Sequence, residues 1–178
     1  SKWFNNVGNE CINVQENAGL LDMTAFAKCR ISGPGAEEFL DYLVANKIPK
    51  KIGRVNLCHA LNTAGGVHSE FTIAKEKENS FYLVSAGAFQ RLDHDWIHKW
   101  IPEDGSVTYE NLTNSMGVLV LAGPKSRDIL SKITKTNLSN ENFPWLSSKK
   151  INVGLAPSIE NSMIFDGERG CEIHHPIE

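Results

Sequence analysis

Along the middle of the chain, apolar and polar positions alternate. Val67, Ser69, Phe71 and Ile73 fall on one face at period two, and His68, Glu70, Thr72 and Ala74 fall on the other. The first face is apolar enough to pack, and the second sets a carboxylate beside a hydroxyl on a rigid element. Similar runs predict strands over 55–61, 67–75 and 81–85, joined by turns at 62–66 and 77–80 into an antiparallel meander. Gly65 and Gly66 supply the turn that leads into the Glu70 strand. Phe89, Leu92, Trp96 and Trp100 recur at helical spacing, predicting a helix over 88–101 that Pro102 stops. Residues 3–20 read as a short helix running into Leu20, Leu21 and Asp22.

A strand–turn–helix unit occurs twice. Ala27 to Ile31 reads as a strand, Ser32 to Gly35 as a turn, and Ala36 to Val44 as a helix with a stripe of Phe39, Leu40, Leu43 and Val44. Pro34 suits the first helical turn, and Glu37 and Glu38 suit the positive end of the helix dipole. Gly117 to Leu121, Ala122 to Pro124 and Ser126 to Ile133 repeat the pattern at a constant offset of 90. At that offset Ile31 meets Leu121, Phe39 meets Ile129, Leu40 meets Leu130, Leu43 meets Ile133 and Ile48 meets Leu138. The whole register repeats, which indicates an internal duplication of units 27–48 and 117–138 around the meander and helix at 55–101. A short strand is expected at 107–109. Further strands are expected at 151–154, 159–165 and 171–174, with a turn at 166–170. The class expected is α+β, with helices packed on mainly antiparallel sheets.

Composition narrows the function. A net charge of −3 without a clustered basic stripe argues against a nucleic-acid partner. No apolar run approaches the ~20 residues of a membrane helix. Cys11, Cys29, Cys58 and Cys171 are scattered without a C-x-x-C pair, so buried reduced thiols in an intracellular protein are expected rather than zinc or disulfides. His94 and His98 lie four apart on one helix, which a solvated face explains more simply than a metal. No serine or cysteine nucleophile signature and no phosphate-cradling glycine loop is present. Two hairpin edges remain, the Glu70/Thr72 strand and the stretch 165–173, where Phe165 precedes Gly167, Glu168 and Gly170 and Glu172 follows. Carboxylates there suit an amino-heterocycle with adjacent N–H donors, since one carboxylate accepts two such bonds, although taken alone Glu168 and Glu172 are explained more simply as turn and edge solubilisers.

An ordered series of short motifs then carries a resemblance across nearly the whole chain. It runs through Trp3-Phe4, Gly19-Leu20-Leu21-Asp22, Gly33-Pro34-Gly35-Ala36, Ala45-Asn46-Lys47-Ile48-Pro49, Gly65-Gly66-Val67, Asp95-Trp96-Ile97, Gly123-Pro124 and Phe143-Pro144 to the Gly-Glu-x-Gly-x-Glu turn ending at Glu172. The chain resembles the folate-binding aminomethyltransferase domain of the glycine-cleavage T-protein family, in the form fused to flavin oxidases in dimethylglycine and sarcosine dehydrogenases. The resemblance implies that residues 1–178 are part of such a domain and that the ligand is tetrahydrofolate. It places Glu70, Phe71 and Thr72 on one wall of the site, and Phe165, Glu172, Ile173 and His174 on the other. Glu70 is the implied base or electrostatic orienter for transfer of a methylene carbon from a methylamine or aminomethyl donor. FAD is implied only for a fused or associated flavoprotein domain outside this chain. The location implied is the mitochondrial matrix for a eukaryotic source and the cytoplasm otherwise. Phe165, Cys171 and Ser162 stand where the family usually has Tyr, another aromatic residue and an Arg. They motivate an alternative, a catalytically silent regulatory module resembling the pyruvate dehydrogenase phosphatase regulatory subunit.

Overall fold

A computed structural model describes residues 2–154 and 170–177. In chain order its elements are helix α1 (Lys2–Glu16), strands β1 (Gly19–Asp22) and β2 (Ala27–Ser32), helix α2 (Ala36–Leu43), and strands β3 (Val55–Leu61), β4 (Val67–Lys77) and β5 (Ser80–Ser85). A 3₁₀ turn (Gly87–Phe89) and helix α3 (Gln90–Trp100) follow, then β6 (Thr108–Asn111), β7 (Met116–Ala122), α4 (Ser126–Leu130) and β8 (Gly170–Pro176). The α+β class with antiparallel pairing is as expected. Two compact units divide the chain, one of residues 25–116 and one of residues 1–24 with 117–178.

The 25–116 unit holds a five-stranded sheet in the order β3-β4-β5-β2-β6, with every recorded pairing antiparallel. One face carries Cys29, Ile31, Cys58, Ala60, Phe71, Ile73, Phe81 and Leu83, and packs with Phe39, Leu40 and Leu43 of α2 and Ile97 of α3 into a single core. Period two fills this face because each of those strand residues is separated from the next by a residue of the opposite face. At the β3–β4 turn, Asn62 Oδ1 accepts the backbone N–H groups of Ala64 and Gly66, both at 3.0 Å. Gly65 there takes φ +82°. One charged side chain lies on the helix-covered face. Lys75 is 3% exposed and donates to Glu37 Oε2 in the first turn of α2 at 2.7 Å.

Helix α3 departs from the expected stripe. Phe89 and Leu92 are exposed, and the buried face is Asp93 and Ile97, with Trp96 and Trp100 partly buried against the core. The helix is therefore rotated so that a carboxylate, rather than Leu92, points inward.

In the other unit, a three-stranded sheet runs in the order β1-β7-β8. Leu21 pairs with Val120 in the antiparallel β1–β7 ladder. Gly170 lies beside Ala122 and Gly117 beside His175, so β8 also runs antiparallel to β7. The expected helix over 3–20 ends at Glu16, and Gly19–Asp22 is a strand. Leu20 and Leu21 remain exposed there, so burial periodicity gives no sign of it. The expected helix over 126–133 stops at Leu130. The amides of Lys132 and Ile133 bond three residues back, to Ile129 and Leu130, as the chain enters the β-branched Ile133 and Thr134. Val153 makes an isolated bridge where a strand over 151–154 was expected. The strand expected over 159–165, Ser162 and nearly all of the turn before β8 lie outside the described residues.

The turns after β2 and β7 share a geometry. Gly33 has φ +117° and Gly123 φ +107°. Ala36 N–H donates to Gly33 O and Ser126 N–H to Gly123 O, each at 3.0 Å. Downstream the likeness fades, because Phe39 and Leu43 are buried whereas Ile129 and Ile133 are exposed.

Candidate functional site

In the 25–116 unit the sheet face opposite the α2/α3 core carries the polar chemistry. Glu70 pairs across the β3–β4 ladder with His59, and the two side chains meet, with Nε2 of His59 2.9 Å from Oε2 of Glu70. Asn46 Oδ1 accepts the His59 backbone N–H at 2.9 Å and lies 3.3 Å from its Nδ1. Both ring nitrogens of His59 thus face oxygen acceptors, and the ring is held from two sides. The Glu70 side chain is 59% exposed, so it stays accessible beside its contact with His59. Thr72 lies two residues on, on the same face and buried.

Register places Thr72 beside Val84 of β5, and Val84 beside Lys28 of β2. Lys28 is 1% exposed and donates its Nζ to Phe26 O at 2.8 Å. This buried ammonium on the Glu70 face was not singled out in the sequence. Its signal was the Lys28/Arg30 alternation against Cys29 and Ile31. Further along, Arg30 donates to Glu76 at 2.8 Å and to Glu110 at 2.7 Å. The hydrogen bond to Glu76 is the largest influence raising the Arg30 pKa.

Two residues expected beside Glu70 lie elsewhere. Phe71 is 1% exposed in the core under α2 and α3, because it is adjacent to Glu70 and so points to the opposite side. His68 was expected on the Glu70 face. Instead the register shifts after Ala60, and the His68 ring stacks on Trp96 of α3 with centroids 4.0 Å apart. A β-bulge has broken the alternation.

Asp93 is the further residue the sequence did not mark. Its Oδ1 accepts the Ser69 hydroxyl at 2.5 Å and its Oδ2 the Ser85 hydroxyl at 2.6 Å, in a setting where Asp93 is 5% exposed. Burial, with Asp93 adding, pushes the Cys29 thiol up to about 12. Cys58 is raised by burial to about 11. Neither thiol is a nucleophile in that state.

In the other unit, β8 presents two faces. Cys171 and Ile173 pack with Leu121, Leu130, Leu138 and Ile151 in an apolar cluster. Glu172 and His174 project from the opposite face, both buried, with His174 Nε2 3.0 Å from Glu172 Oε2. Ile173, expected to line the site, is therefore core on the far side of its strand from Glu172 and His174. Phe165 lies outside the described residues. Among the described residues no cluster of three or more His, Cys, Asp or Glu side chains is gathered to hold a metal, and no helix is long and apolar enough to cross a membrane.

This duplicated-turn α+β fold is that of an aminomethyltransferase-type domain. All 178 residues match the family model of the GCVT N-terminal domain, and the chain belongs to that family. It is 34% identical over its whole length to mitochondrial dimethylglycine dehydrogenase of Mus musculus, and covers 20% of that protein. It is 32% identical over 99% of its length to the mitochondrial pyruvate dehydrogenase phosphatase regulatory subunit of the same organism, again covering 20%. An aminomethyltransferase of Listeria monocytogenes is 32% identical over 92% of the chain, which covers 44% of that enzyme. The chain thus spans about a fifth of the length of the first two relatives. Among solved structures, the glycine cleavage system aminomethyltransferase T of Bartonella henselae superposes with a TM-score of 0.79 at 22% identity, over 94% of this chain and 44% of that one.

Proposed function

We propose that this chain forms part of a tetrahydrofolate site for one-carbon transfer, with Glu70 as its principal contact. The observation that carries the reading is the Glu70–His59 pair on the sheet face opposite the α2/α3 core, one carboxylate oxygen held and the side chain more than half exposed. A carboxylate acceptor fits a reduced pterin, whose ring presents N–H donors to it. When bound, tetrahydrofolate supplies the nitrogen that takes up the one-carbon unit. Glu70 binds and orients it, and His59 keeps the carboxylate from rotating. Thr72 offers a hydroxyl on the same face. The relatives named as dehydrogenase and aminomethyltransferase support the class of reaction, with a methylamine or aminomethyl compound as donor. Phe71 supports the strand from beneath.

The test is titration of tetrahydrofolate into the whole protein that carries this chain. Saturable binding is expected, weakened about tenfold or more by Glu70→Ala, the effect of one lost hydrogen bond to a charged group. Absence of saturation, or affinity indifferent to Glu70→Ala, would overturn the reading.

One observation favours a second reading, a regulatory module without turnover. Cys171 is sunk in an apolar cluster and offers a ligand no aromatic ring, and the regulatory-subunit relative is as similar to this chain as the aminomethyltransferase. Folate-dependent turnover of a methylamine by the whole protein is expected under the first reading and excludes the second.

A further inference from the structure

We infer that helix α3 sets the aim of Glu70, with Asp93 as a positioning residue that holds the β4 bulge in register. The inference rests on the reading of Glu70 as a ligand contact. From Val55/Ala74 to Ala60/Ser69 the β3–β4 ladder is regular, and then Leu61 pairs with Val67, leaving His68 as the extra residue. A strand can slip at such a point, and a slip of one residue moves every side chain to the other face.

Two contacts from α3 oppose the slip at adjacent residues. The His68 ring is stacked on Trp96, and the Ser69 hydroxyl is bonded to Asp93. Asp93 also takes the Ser85 hydroxyl of β5, so one buried carboxylate ties two neighbouring strands to the helix. A carboxylate on the inward face of a helix is costly unless its hydrogen bonds are made. That cost makes the register selective. If β4 slipped by one residue, the Ser69 hydroxyl would turn away from Asp93 and Glu70 would turn toward it, setting two carboxylates against each other in the core. In the observed register Glu70 is instead directed across the strand to His59. Asp93 touches neither Glu70 nor His59 in any recorded contact, so its action is through the backbone of β4.

The experiment compares Ser69→Ala, Ser85→Ala, Asp93→Asn and Glu70→Ala in the whole protein. It uses three readouts, the melting temperature, the His59 ring-proton signal with no ligand present and the affinity for tetrahydrofolate. Ser69→Ala and Ser85→Ala each remove one bond to the same carboxylate and are expected to lower the melting temperature alike. Of these two, only Ser69→Ala is expected to move the His59 signal toward its position in Glu70→Ala, and to weaken tetrahydrofolate binding about fivefold. Asp93→Asn keeps an acceptor for Ser69 in the observed register but no longer repels Glu70 in the slipped one, and is expected to move the His59 signal in the same direction as Ser69→Ala but less far. An unmoved His59 signal in Ser69→Ala, or an equal movement in Ser85→Ala, overturns the inference. If the signal moves as expected but tetrahydrofolate binding ignores Glu70→Ala, the positioning stands and the folate reading fails.

Discussion

Gly33→Ala is expected to destabilise the 25–116 unit by about 3 kcal/mol or more, combining a strained backbone with a steric clash of similar size. At φ +117° an L side chain is strained, and a Cβ there would lie 2.3 Å from the Ser106 carbonyl oxygen. The backbone on the other side of that contact is itself committed, because Gly35 N–H donates to Ser106 O at 3.0 Å. Nothing can move aside without loosening the entry to α2. Gly105→Ala is the matched control. It also has a positive φ, +76°, but nothing lies within 4 Å of its added carbon, so only the conformational cost of about 1 kcal/mol should appear. Urea denaturation followed by circular dichroism separates the two. Equal midpoints for both variants would show that the Ser106 contact is not the cause. Gly123→Ala, with a Cβ 2.5 Å from Val14 O, should reproduce the larger effect in the other unit.

Glu37→Ala is the second large effect. It leaves the Lys75 ammonium, 3% exposed, without its carboxylate on the face that α2 covers. Removing one partner of a buried pair costs about 3–5 kcal/mol. The value expected here is about 2–3 kcal/mol, since the Glu37 side chain is 38% exposed and also serves the open Lys50 contact, which is worth little. The pH dependence has a definite sign. Hydrogen bonds from Lys75 and then Lys50 hold Glu37 below the usual carboxylate range. Its contribution is therefore full above about pH 4.3, the ordinary glutamate value, and is lost as the pH falls through the lowered folded value. The gap in unfolding free energy between wild type and Glu37→Ala should be widest near neutrality and narrow in acid. A gap that widens toward acid would contradict the pairing.

Much of the sheet was legible in the sequence because period two and burial coincide there. Cys29/Ile31, Phe71/Ile73 and Phe81/Leu83 alternate cleanly, and the strands were placed within a few residues. Where hydrophobicity and burial part company, the reading failed. Leu20 and Leu21 are apolar yet exposed in β1, and Phe89 and Leu92 are apolar yet turned away from the core, while Asp93 is charged yet buried. Lys28 and Lys75 were equally silent, since a lysine on a strand reads as a solvated one until its partner is known. The site was half legible for a related reason. Glu70 and Thr72 keep their shared face, but one extra residue at His68 reverses the face of everything before it. No count of apolar positions locates such an insertion. A bulge becomes visible only when the two strands are aligned.

Connectivity adds one last consequence. The 25–116 unit is inserted between the strands of the other, since β1 precedes it and β7 follows it. As the chain leaves the ribosome, β2 to β6 can close their own ladder, whereas the ladder partner of Gly19–Asp22 among the described residues, Leu119–Ala122, emerges later. The order of synthesis thus makes the Glu70 hairpin an early product and the first strand of the chain a late one.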